Sequence, residues 1–509
     1  MKRLFEKFSA ALCFFDARKI FLILGFSLIF FIALRPPTDP DMGWHLRDGK
    51  YLVENHFQVA KTDPFSWTMP DFPVVMHEWM TDLVAYFISE KAGLFTLALI
   101  SALVTAIAFI LVSLGMKTDL EYKIIAGIMG IIASIPILGV RAQMLSLLGI
   151  AAVIYVIYEF KANPKTKKIF FLPLIFFFWV NFHGGFAGGL FLLALFVFFE
   201  LIKFFICLGL GRKREVRFFR WLGRYLEEET ISGQALFQLV IISLGSFLLT
   251  FVNPYGWRIY VEVFTTVFDS YAKSNIGEWL PVSVFSPGGS EFIFYLILLA
   301  ILLFVSFKKI GHLYLIIAFV FLYLAFSSWR HVPIFLIISI PLWVEMVHRL
   351  AGKELANLTQ NKWFLLVMAV IVFFVAKQQI RTTYPIAHSI DTLAEAGAYP
   401  LGAVRYLKEN PIEGRMLNEY NWGGFLIWQY PEKKVYIDGR MPSWKIGDYR
   451  VFEEFNHMMK FEKDWQTVLD KNDIKFALVY NSLINRAVFP GIGWQEIYSD
   501  GLAAIYVRP

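Results

Sequence analysis

The sequence predicts a polytopic α-helical membrane protein with about eleven transmembrane helices and a small extracytoplasmic α/β domain at the C-terminus. Three observations predict this class. Of the 509 residues, 57% are hydrophobic and only 17% are charged, whereas a soluble domain is nearer a quarter charged. Apolar runs long enough to cross a bilayer recur along residues 1–377. Residues 378–509 contain no such run and have ordinary charge density.

The predicted spans follow one another closely along the first part of the chain. Each is an apolar run that approaches the length of a bilayer crossing at roughly 1.5 Å per residue. The first follows five basic residues and has no small-residue cleavage site, so we expect a retained signal anchor. The runs lie near 20–34, 93–116, 122–140, 143–160, 168–183, 185–209, 234–252, 291–308, 311–328, 332–348 and 362–377.

Lysine and arginine concentrate in alternate loops, at 161–168, 211–217, 308–309 and 348–362. By the positive-inside rule these loops face the cytoplasm. The rule therefore predicts an integral plasma (inner) membrane protein with a cytoplasmic N-terminus and an extracytoplasmic C-terminal domain. The formal charge of +7 is explained by topology, so we expect no nucleic-acid partner. Cys13 and Cys207 both fall on the predicted cytoplasmic side, which disfavours a structural disulfide.

The predicted first extracytoplasmic loop, at about 35–92, begins with an acidic pair, Asp39 and Asp41, on either side of Pro40. The prolines stiffen the backbone and so fix the carboxylates at little entropic cost. A base that removes a proton from an acceptor hydroxyl needs such positioning. We therefore predict Asp41 and Asp39 as catalytic residues. The alternative is a turn in which Asp39 caps an amphipathic helix over 42–54.

Further polar residues of this loop are candidates for the same site. Glu78 is a third candidate catalytic carboxylate, and Trp44, His45 and His77 are candidate substrate-binding residues. Oxygen and nitrogen ligands suit Mn²⁺, Mg²⁺ or Zn²⁺, which makes a divalent metal site possible with Asp39, Asp41, His45 and His77 as ligands. The alternative is that residues 77–79 cap a helix, with Trp79 in the interfacial aromatic belt.

Several polar residues in later loops fall on the same predicted side of the membrane. Arg141, with Gln143 beside it, and Arg330, with His331, are candidates for a phosphate clamp, because guanidinium binds phosphate bidentately. Snorkelling anchors are the alternative. Asn181 and His183 precede a Gly-Gly pair that would let the backbone approach a ligand, or would pack helices. Glu278 lies in an outside loop of roughly forty residues, which is too long for a simple connection.

The C-terminal part, 378–509, is predicted as an α/β domain. Helices are expected at 400–410, 445–459 and 463–472, and strands at 415–418, 434–437, 475–480 and 503–507. Trp422, Asp438 and Arg440 would lie at one edge of the sheet, where open α/β sheets bind ligands. The alternative is a capped helix and a turn held by a contact between Asp438 and Arg440.

The acidic pair of the first outside loop, the many spans and the C-terminal extracytoplasmic domain resemble the GT-C superfamily. This group of glycosyltransferases includes protein O-mannosyltransferases, aminoarabinose transferases and oligosaccharyltransferases. The segment from Trp422 to Arg440 looks like one found in a bacterial branch of such proteins. The resemblance implies inverting transfer of a hexose or pentose from a polyprenyl-phosphate donor to a lipid, glycan or protein acceptor, in cell-envelope polysaccharide or glycoprotein biosynthesis. It also implies that the loop of Asp39 and Asp41 is the catalytic loop.

Two other classes of function remain open from the sequence. A transporter would place ionisable residues and broken helices at the middle of the bilayer, but the predicted span interiors are almost free of charge. A non-catalytic protein for polysaccharide assembly or binding would use the aromatic loops without needing the carboxylates.

Overall fold

The computed structural model of the chain describes residues 16–210, 230–306 and 312–509. Cys13 and the predicted cytoplasmic loops at 211–217 and 308–309 lie outside these residues. All eleven apolar runs predicted as spans contain a helix within the described ranges. The helices are α1 Ala17–Ala33, α3 Trp79–Leu114, α4 Leu120–Ser134, α5 Gln143–Ala162, α6 Phe171–Phe182, α7 Phe186–Leu210, α8 Gly233–Leu249, α11 Gly289–Ser306, α12 His312–Ser327, α13 Val332–Thr359 and α14 Lys362–His388.

Length and composition separate these helices into two groups. Six segments of the described residues are long and apolar enough to cross a membrane: Trp79–Leu114, Leu120–Ile137, Gln143–Ala162, Phe186–Leu208, Trp329–Leu350 and Lys362–His388. Three further apolar helices are shorter, Gly233–Leu249, Gly289–Val305 and Tyr314–Ser327. These helices are those of an integral membrane protein, and the count of about eleven spans stays a prediction.

The first outside loop is more ordered than the sequence predicts. It contains helix α2, Met42–Glu54, and its last part, from Trp79 to residue 92, is already helical as the start of α3. A kink at Gly93, where φ is 80°, separates this extramembrane part of α3 from the predicted span. Glycine adopts this backbone conformation without the steric cost that a side chain would add.

Short helices and 3₁₀ turns complete the outer side of the helical part. Helices α9, Arg258–Phe268, and α10, Ser270–Asn275, precede a 3₁₀ turn at Gly277–Trp279, and a second 3₁₀ turn, Trp329–His331, leads into α13. The two turns meet because Trp329 N–H donates to Leu280 O at 3.1 Å and Ser328 Oγ donates to Glu278 O at 3.0 Å. These hydrogen bonds hold the turn that contains Glu278 against the turn that contains Arg330.

The C-terminal part contains a four-stranded sheet of order β1-β2-β4-β3. Strand β1 pairs parallel with β2, and β4 pairs antiparallel with both β2 and β3. The strands are β1 Arg415–Asn418, β2 Ile474–Tyr480, β3 Gln495–Ser499 and β4 Ala503–Val507, and the helices are α15 Ile390–Gly397, α16 Leu401–Glu409, α17 Gly423–Gln429, α18 Val451–Met459, α19 Trp465–Lys471 and α20 Leu483–Gly491.

The comparison with the predicted elements of this part is mixed. The strands near 415–418, 475–480 and 503–507 are confirmed, while β3 and α20 had not been predicted. The predicted strand at 434–437 is wrong. Val435 forms an isolated bridge with Ser66, and the side chain of Asn418 accepts from Tyr436 N–H at 2.7 Å and donates to Ile437 O at 2.9 Å. The backbone groups that would pair with a neighbouring strand are therefore already bound to the first outside loop and to the side-chain amide of Asn418.

No change of structure marks residue 377, the predicted domain boundary, because α14 continues to His388. The sheet part packs directly on the first outside loop. A Cβ atom at Gly43 of α2 would lie 2.2 Å from Gly424 O at the start of α17, so these two backbones touch. Tyr399 Oη donates to Thr38 O at 2.9 Å. The acidic loop is thus held between the membrane helices and the C-terminal part.

Candidate active site

A cavity of about 620 Å³ lies where the first outside loop, the outer ends of the membrane helices and the C-terminal part meet. Twelve of the sixteen residues predicted for the site line it: Asp39, Asp41, Trp44, His45, His77, Glu78, Arg141, Gln143, His183, Glu278, Arg330 and Arg440. These residues come from seven separate stretches of the chain. The structure therefore brings most of the predicted site together in one place.

Asp41 immediately precedes helix α2 and lines the cavity. Its Oδ1 accepts a hydrogen bond from Trp44 Nε1 at 2.9 Å, one helical turn further on. Burial raises the pKa of the Asp41 carboxyl to about 6, and the neighbouring charge of Asp39 adds to the shift. A carboxylate of raised pKa is a stronger base than an ordinary aspartate and is still largely ionised at neutral pH.

Asp39 has a different role from Asp41 in this geometry. Its Oδ1 accepts from the backbone N–H of Asp41 at 2.9 Å, and its Oδ2 forms a close ion pair with Arg141. The alternative in which Asp39 caps the start of the amphipathic helix is thus close to what is observed. Asp39 fixes the backbone that carries Asp41.

Arg141 and Arg330, the two predicted clamp residues, differ in what surrounds them. The guanidinium of Arg141 contacts Asp39 and Glu278. Burial alone would lower its pKa, but these two carboxylates outweigh burial and raise it. Within the described residues the Arg330 side chain has no ion pair, and its guanidinium lies over the Trp279 ring at 5.2 Å. Gln143 holds the backbone of Arg330, since its Nε2 donates to Arg330 O at 3.0 Å.

Glu78 lies at the centre of three histidines. Its carboxylate oxygens are 3.3 Å from His45 Nε2, 3.5 Å from His77 Nε2 and 3.2 Å from His183 Nε2. Burial would raise the pKa of Glu78, but the histidines, with His183 contributing most, hold it well below its ordinary value. Glu78 is therefore a carboxylate throughout the physiological range.

The three histidines do not share one protonation state. Burial would lower the pKa of His45, but Asp82 and Glu78 raise it to about 10, and contacts with Glu78 raise that of His77 to about 9. Burial lowers the pKa of His183 to about 4. His183 is neutral with its proton on Nε2, because its Nδ1 accepts from Gly185 N–H at 2.8 Å. It then donates to Glu78.

The residues suited to a divalent cation differ from the predicted set. Of the four predicted ligands, Asp39 and Asp41 are engaged by Arg141 and Trp44, and only His45 belongs to a compact group. Among the residues that the structure describes, the ligand atoms of His45, Glu78 and Asp82 all lie within 4.8 Å of one another. Asp82 Oδ1 is 2.6 Å from His45 Nδ1, while its buried Oδ2 has no hydrogen-bond partner in the described part of the chain. An unsatisfied buried carboxylate oxygen is costly unless a cation or a proton occupies it.

Four predicted site residues do not line this cavity. Asn181 accepts from Trp79 Nε1 at 3.0 Å and donates to Val252 O at 3.1 Å, so it ties helices together. His331 packs edge-on against Trp279. Trp422 is fully buried and donates to Ala398 O at 2.9 Å. Asp438 accepts from Arg440 Nε and from Arg440 Nη2, both at 2.8 Å.

The contact between Asp438 and Arg440 is the turn-holding pair that the sequence left as the alternative. Arg440 also pairs with Asp63 at 2.9 Å and lies over the rings of Phe65 and Trp444. Arg440 thus lines the cavity while its charge is already balanced by two buried carboxylates.

Four cavity residues with carboxylate side chains were missed by the sequence analysis: Asp48, Asp82, Glu262 and Glu419. Asp82 follows Glu78 by four residues, which is the spacing of neighbours on one helix face, so a helix starting at Trp79 would have indicated it. Asp48 lies on the buried face of α2, three residues after His45. Glu262 and Glu419 reach the cavity only through tertiary packing, and no local pattern indicates them.

No family model matches this chain, and no curated protein matches its sequence. Among solved structures, it is similar to an archaeal oligosaccharyltransferase, AglB from Archaeoglobus fulgidus, in complex with an inhibitory peptide and a dolichol-phosphate. The match has a TM-score of 0.56 at 12% sequence identity and covers 93% of this chain and 70% of that one. This likeness confirms the predicted resemblance in fold to oligosaccharyltransferases.

Proposed function

We propose that this protein is a membrane glycosyltransferase that moves a sugar from a polyprenyl-phosphate donor to an acceptor on the extracytoplasmic face. One observation carries the proposal. A half-buried Asp41 carboxylate of raised pKa lines the same cavity as the Arg330 guanidinium, which has no carboxylate ion-pair partner among the described residues. Such a transfer needs a base for the acceptor and a cation for the leaving phosphate. The similar oligosaccharyltransferase was solved with a dolichol-phosphate, which supports a lipid-linked phosphate as the donor.

Asp41 is the proposed base. It takes the proton of an acceptor hydroxyl while that oxygen attacks the anomeric carbon of the donor. The bond between this carbon and the phosphate oxygen breaks, and the electron pair leaves with the polyprenyl phosphate. Attack from the face opposite to the leaving group inverts the anomeric configuration. The hydrogen bonds at Asp41 orient the carboxylate before the acceptor arrives, which reduces the entropic cost of the step.

Arg330 is the proposed phosphate ligand. Its guanidinium can offer a bidentate fork to phosphate, and the Trp279 ring beneath it fixes the plane of the fork by a cation–π contact. Arg141 is less suited, because Asp39 and Glu278 already use its charge. We assign Arg141 the task of joining the catalytic loop to the turn that contains Glu278.

We further propose that His45, Glu78 and Asp82 hold a divalent cation, with Mn²⁺, Mg²⁺ and Zn²⁺ as candidates. The unsatisfied oxygen of Asp82 and the compactness of the group support this. When bound, the cation would supply positive charge to the donor phosphate. The raised pKa of His45 means that binding must displace a proton, so affinity should increase with pH.

Purified full-length protein incubated with a panel of polyprenyl-phosphate sugars, with and without EDTA, tests the function. We expect consumption of at least one donor and release of polyprenyl phosphate. Elemental analysis of the same protein before and after EDTA tests the metal, and His45→Ala should lower the bound metal content. If no donor is bound or consumed, the proposed function is wrong. Full activity with no metal bound would contradict the proposed cation site and leave the proposed transfer reaction standing.

A further inference from the structure

The C-terminal part contributes its own wall to the cavity, through the short segment of Glu419, Tyr420 and Asn421. Two buried neighbours hold this segment in place. Asn418 Nδ2 donates to Glu419 O and to Ile437 O, both at 2.9 Å. Trp422 N–H donates to Glu419 O at 3.1 Å. The segment is therefore a fixed surface, built by residues whose own side chains are in the core.

Glu419 is the carboxylate of this wall, and the proposed chemistry does not use it. Its Oε1 accepts from Tyr480 N–H at 3.2 Å, and no cation pairs with it among the residues that the structure describes. Burial raises the pKa of the Glu419 carboxyl to about 7. A buried carboxyl with one backbone hydrogen bond keeps free accepting capacity, and the cavity is where a partner for it would bind.

Tyr420 lines the same cavity as Asp41. Burial raises the pKa of the Tyr420 phenol well above its ordinary value, and the nearby charges of Asp41 and Glu278 add to the shift. Tyr420 packs on Phe452 with the ring centroids 5.0 Å apart. An aromatic ring near Asp41 is thus held in a fixed position beside Glu419.

The charges of the cavity are divided between its two sides. Arg141, Arg330 and the histidines belong to the side made by the membrane helices and their loops. On the C-terminal side, Arg440 lines the cavity, but its charge is balanced by Asp63 and Asp438. An anionic acceptor placed there would face the Glu419 carboxyl without a free cation, so charge disfavours it.

The backbone beside this wall is also unsuited to a peptide strand. Val435 N–H donates to Phe65 O at 3.0 Å, and Val435 O accepts from Trp67 N–H at 3.1 Å. Tyr436 N–H donates to Asn418 Oδ1, and Tyr436 O accepts from Thr68 Oγ1. Strand addition needs unpaired backbone groups at an edge, and these groups are already paired.

We propose that Glu419, Tyr420 and Asn421 form the acceptor subsite, and that the acceptor is an uncharged saccharide. Its hydroxyls would bind Glu419 and the Asn421 amide, its apolar ring face would lie against Tyr420, and the reacting hydroxyl would reach Asp41. This inference deepens the proposed function and rests on it for the reaction. The binding itself does not depend on the donor.

The test uses full-length protein in detergent and three probes: neutral disaccharides, the same sugars carrying phosphate, and hydroxyl-containing peptides. Binding is followed by intrinsic tryptophan fluorescence without donor, and transfer is followed with the donor that the enzyme consumes. Glu419→Gln keeps the shape of the side chain, and Glu432→Gln changes an exposed glutamate of the same domain. Asn421→Ala is a second subsite variant, and thermal melting checks the fold of each.

We expect the neutral disaccharides to bind, and Glu419→Gln to weaken that binding about tenfold or more, as the loss of a hydrogen bond to a charged group does. The control variant Glu432→Gln should match wild type in saccharide binding, in donor hydrolysis and in transfer. If Glu419→Gln does not fold, Asn421→Ala should show the weaker binding. Preference for peptide or phosphorylated sugar, or equal saccharide binding in wild type and in the folded subsite variants, would overturn the inference. Saccharide binding without consumption of any donor would contradict the proposed function instead.

Discussion

Asp41 is the residue on which the proposed chemistry depends most directly. Asp41→Asn keeps the size of the side chain and its contact with Trp44 but removes the base. We expect the transfer rate to fall by roughly 100-fold or more. The measurement is single-turnover transfer from the donor that the wild-type protein consumes.

The control for this variant is Asp71→Asn, which changes an exposed aspartate of the same loop and should leave the rate unchanged. The raised pKa of Asp41 also gives an expectation for stability. A carboxyl with a raised folded-state pKa contributes stability below its unfolded pKa, and this contribution is lost as pH rises to about 6. Asp41→Asn should therefore melt at least as high as wild type at pH 7.5. A lower melting temperature together with normal transfer would assign Asp41 to structure.

The pH dependence of transfer follows from the same group. Asp41 acts as a carboxylate, so the rate should fall as pH drops through about 6. The positive charge of Arg141 lowers the pKa of Asp41, and removing it leaves the negative charge of Asp39 unopposed. Arg141→Gln should therefore move the acid limb of the rate profile to higher pH. An unchanged limb would show that a different group limits the rate.

Substitutions of Arg330 and of Arg141 should differ in their effects on donor affinity. Arg330→Lys replaces the bidentate fork by a single ammonium, and we expect weaker binding of the polyprenyl-phosphate donor. Arg141→Lys should affect the melting temperature more than donor affinity, because Arg141 joins two carboxylates of the protein. Binding titrations and melting curves of both variants test this, and equal donor affinity in the two would contradict the assignment.

At the scale of elements, the start of helix α2 and the turn after Ile437 touch at the Asp41 carboxylate. A Cβ atom at Gly439 would lie 1.9 Å from Asp41 Oδ1, closer than atoms can approach without a shift. Gly439→Ala should therefore displace Asp41 and lower the transfer rate, with donor binding less affected. Gly501→Ala is the matched control, because a Cβ atom there meets nothing within 4 Å. Equal rates for the two variants would mean that the turn does not position Asp41.

At the scale of the whole molecule, the distribution of basic residues predicts the orientation. Reporter fusions within 161–168 and after Pro509 should report opposite sides of the membrane, with the first cytoplasmic and the second extracytoplasmic. Donor sugars carried on polyprenyl phosphate would then reach the cavity from the outer leaflet. Signals from the same side at both positions would contradict the predicted orientation. The predicted extracytoplasmic position of the site would then be wrong as well.

The apolar helices and the loop that carries the acidic pair could be predicted from the amino-acid sequence alone. Apolar runs must leave water whatever the tertiary structure is, and their length decides whether they can cross a bilayer, so composition along the chain was sufficient. Strands β2 and β4 were predicted for the same reason, as short apolar runs between polar turns. The stiff context of Asp39 and Asp41 is likewise a local property of their prolines.

The tertiary structure decided how the site is assembled and what each residue does in it. Glu78 contacts histidines from three stretches of the chain, and Glu419 of the C-terminal part lines the same cavity as Asp41. Residues 434–437 are not a strand, because the partners of their backbone groups come from distant parts of the chain. Such contacts depend on the packing of whole elements, which a local pattern does not encode. For that reason the sequence predicts Arg141 and Arg330 equally well as phosphate ligands. Only the positions of Asp39 and Glu278 in the structure distinguish the two arginines.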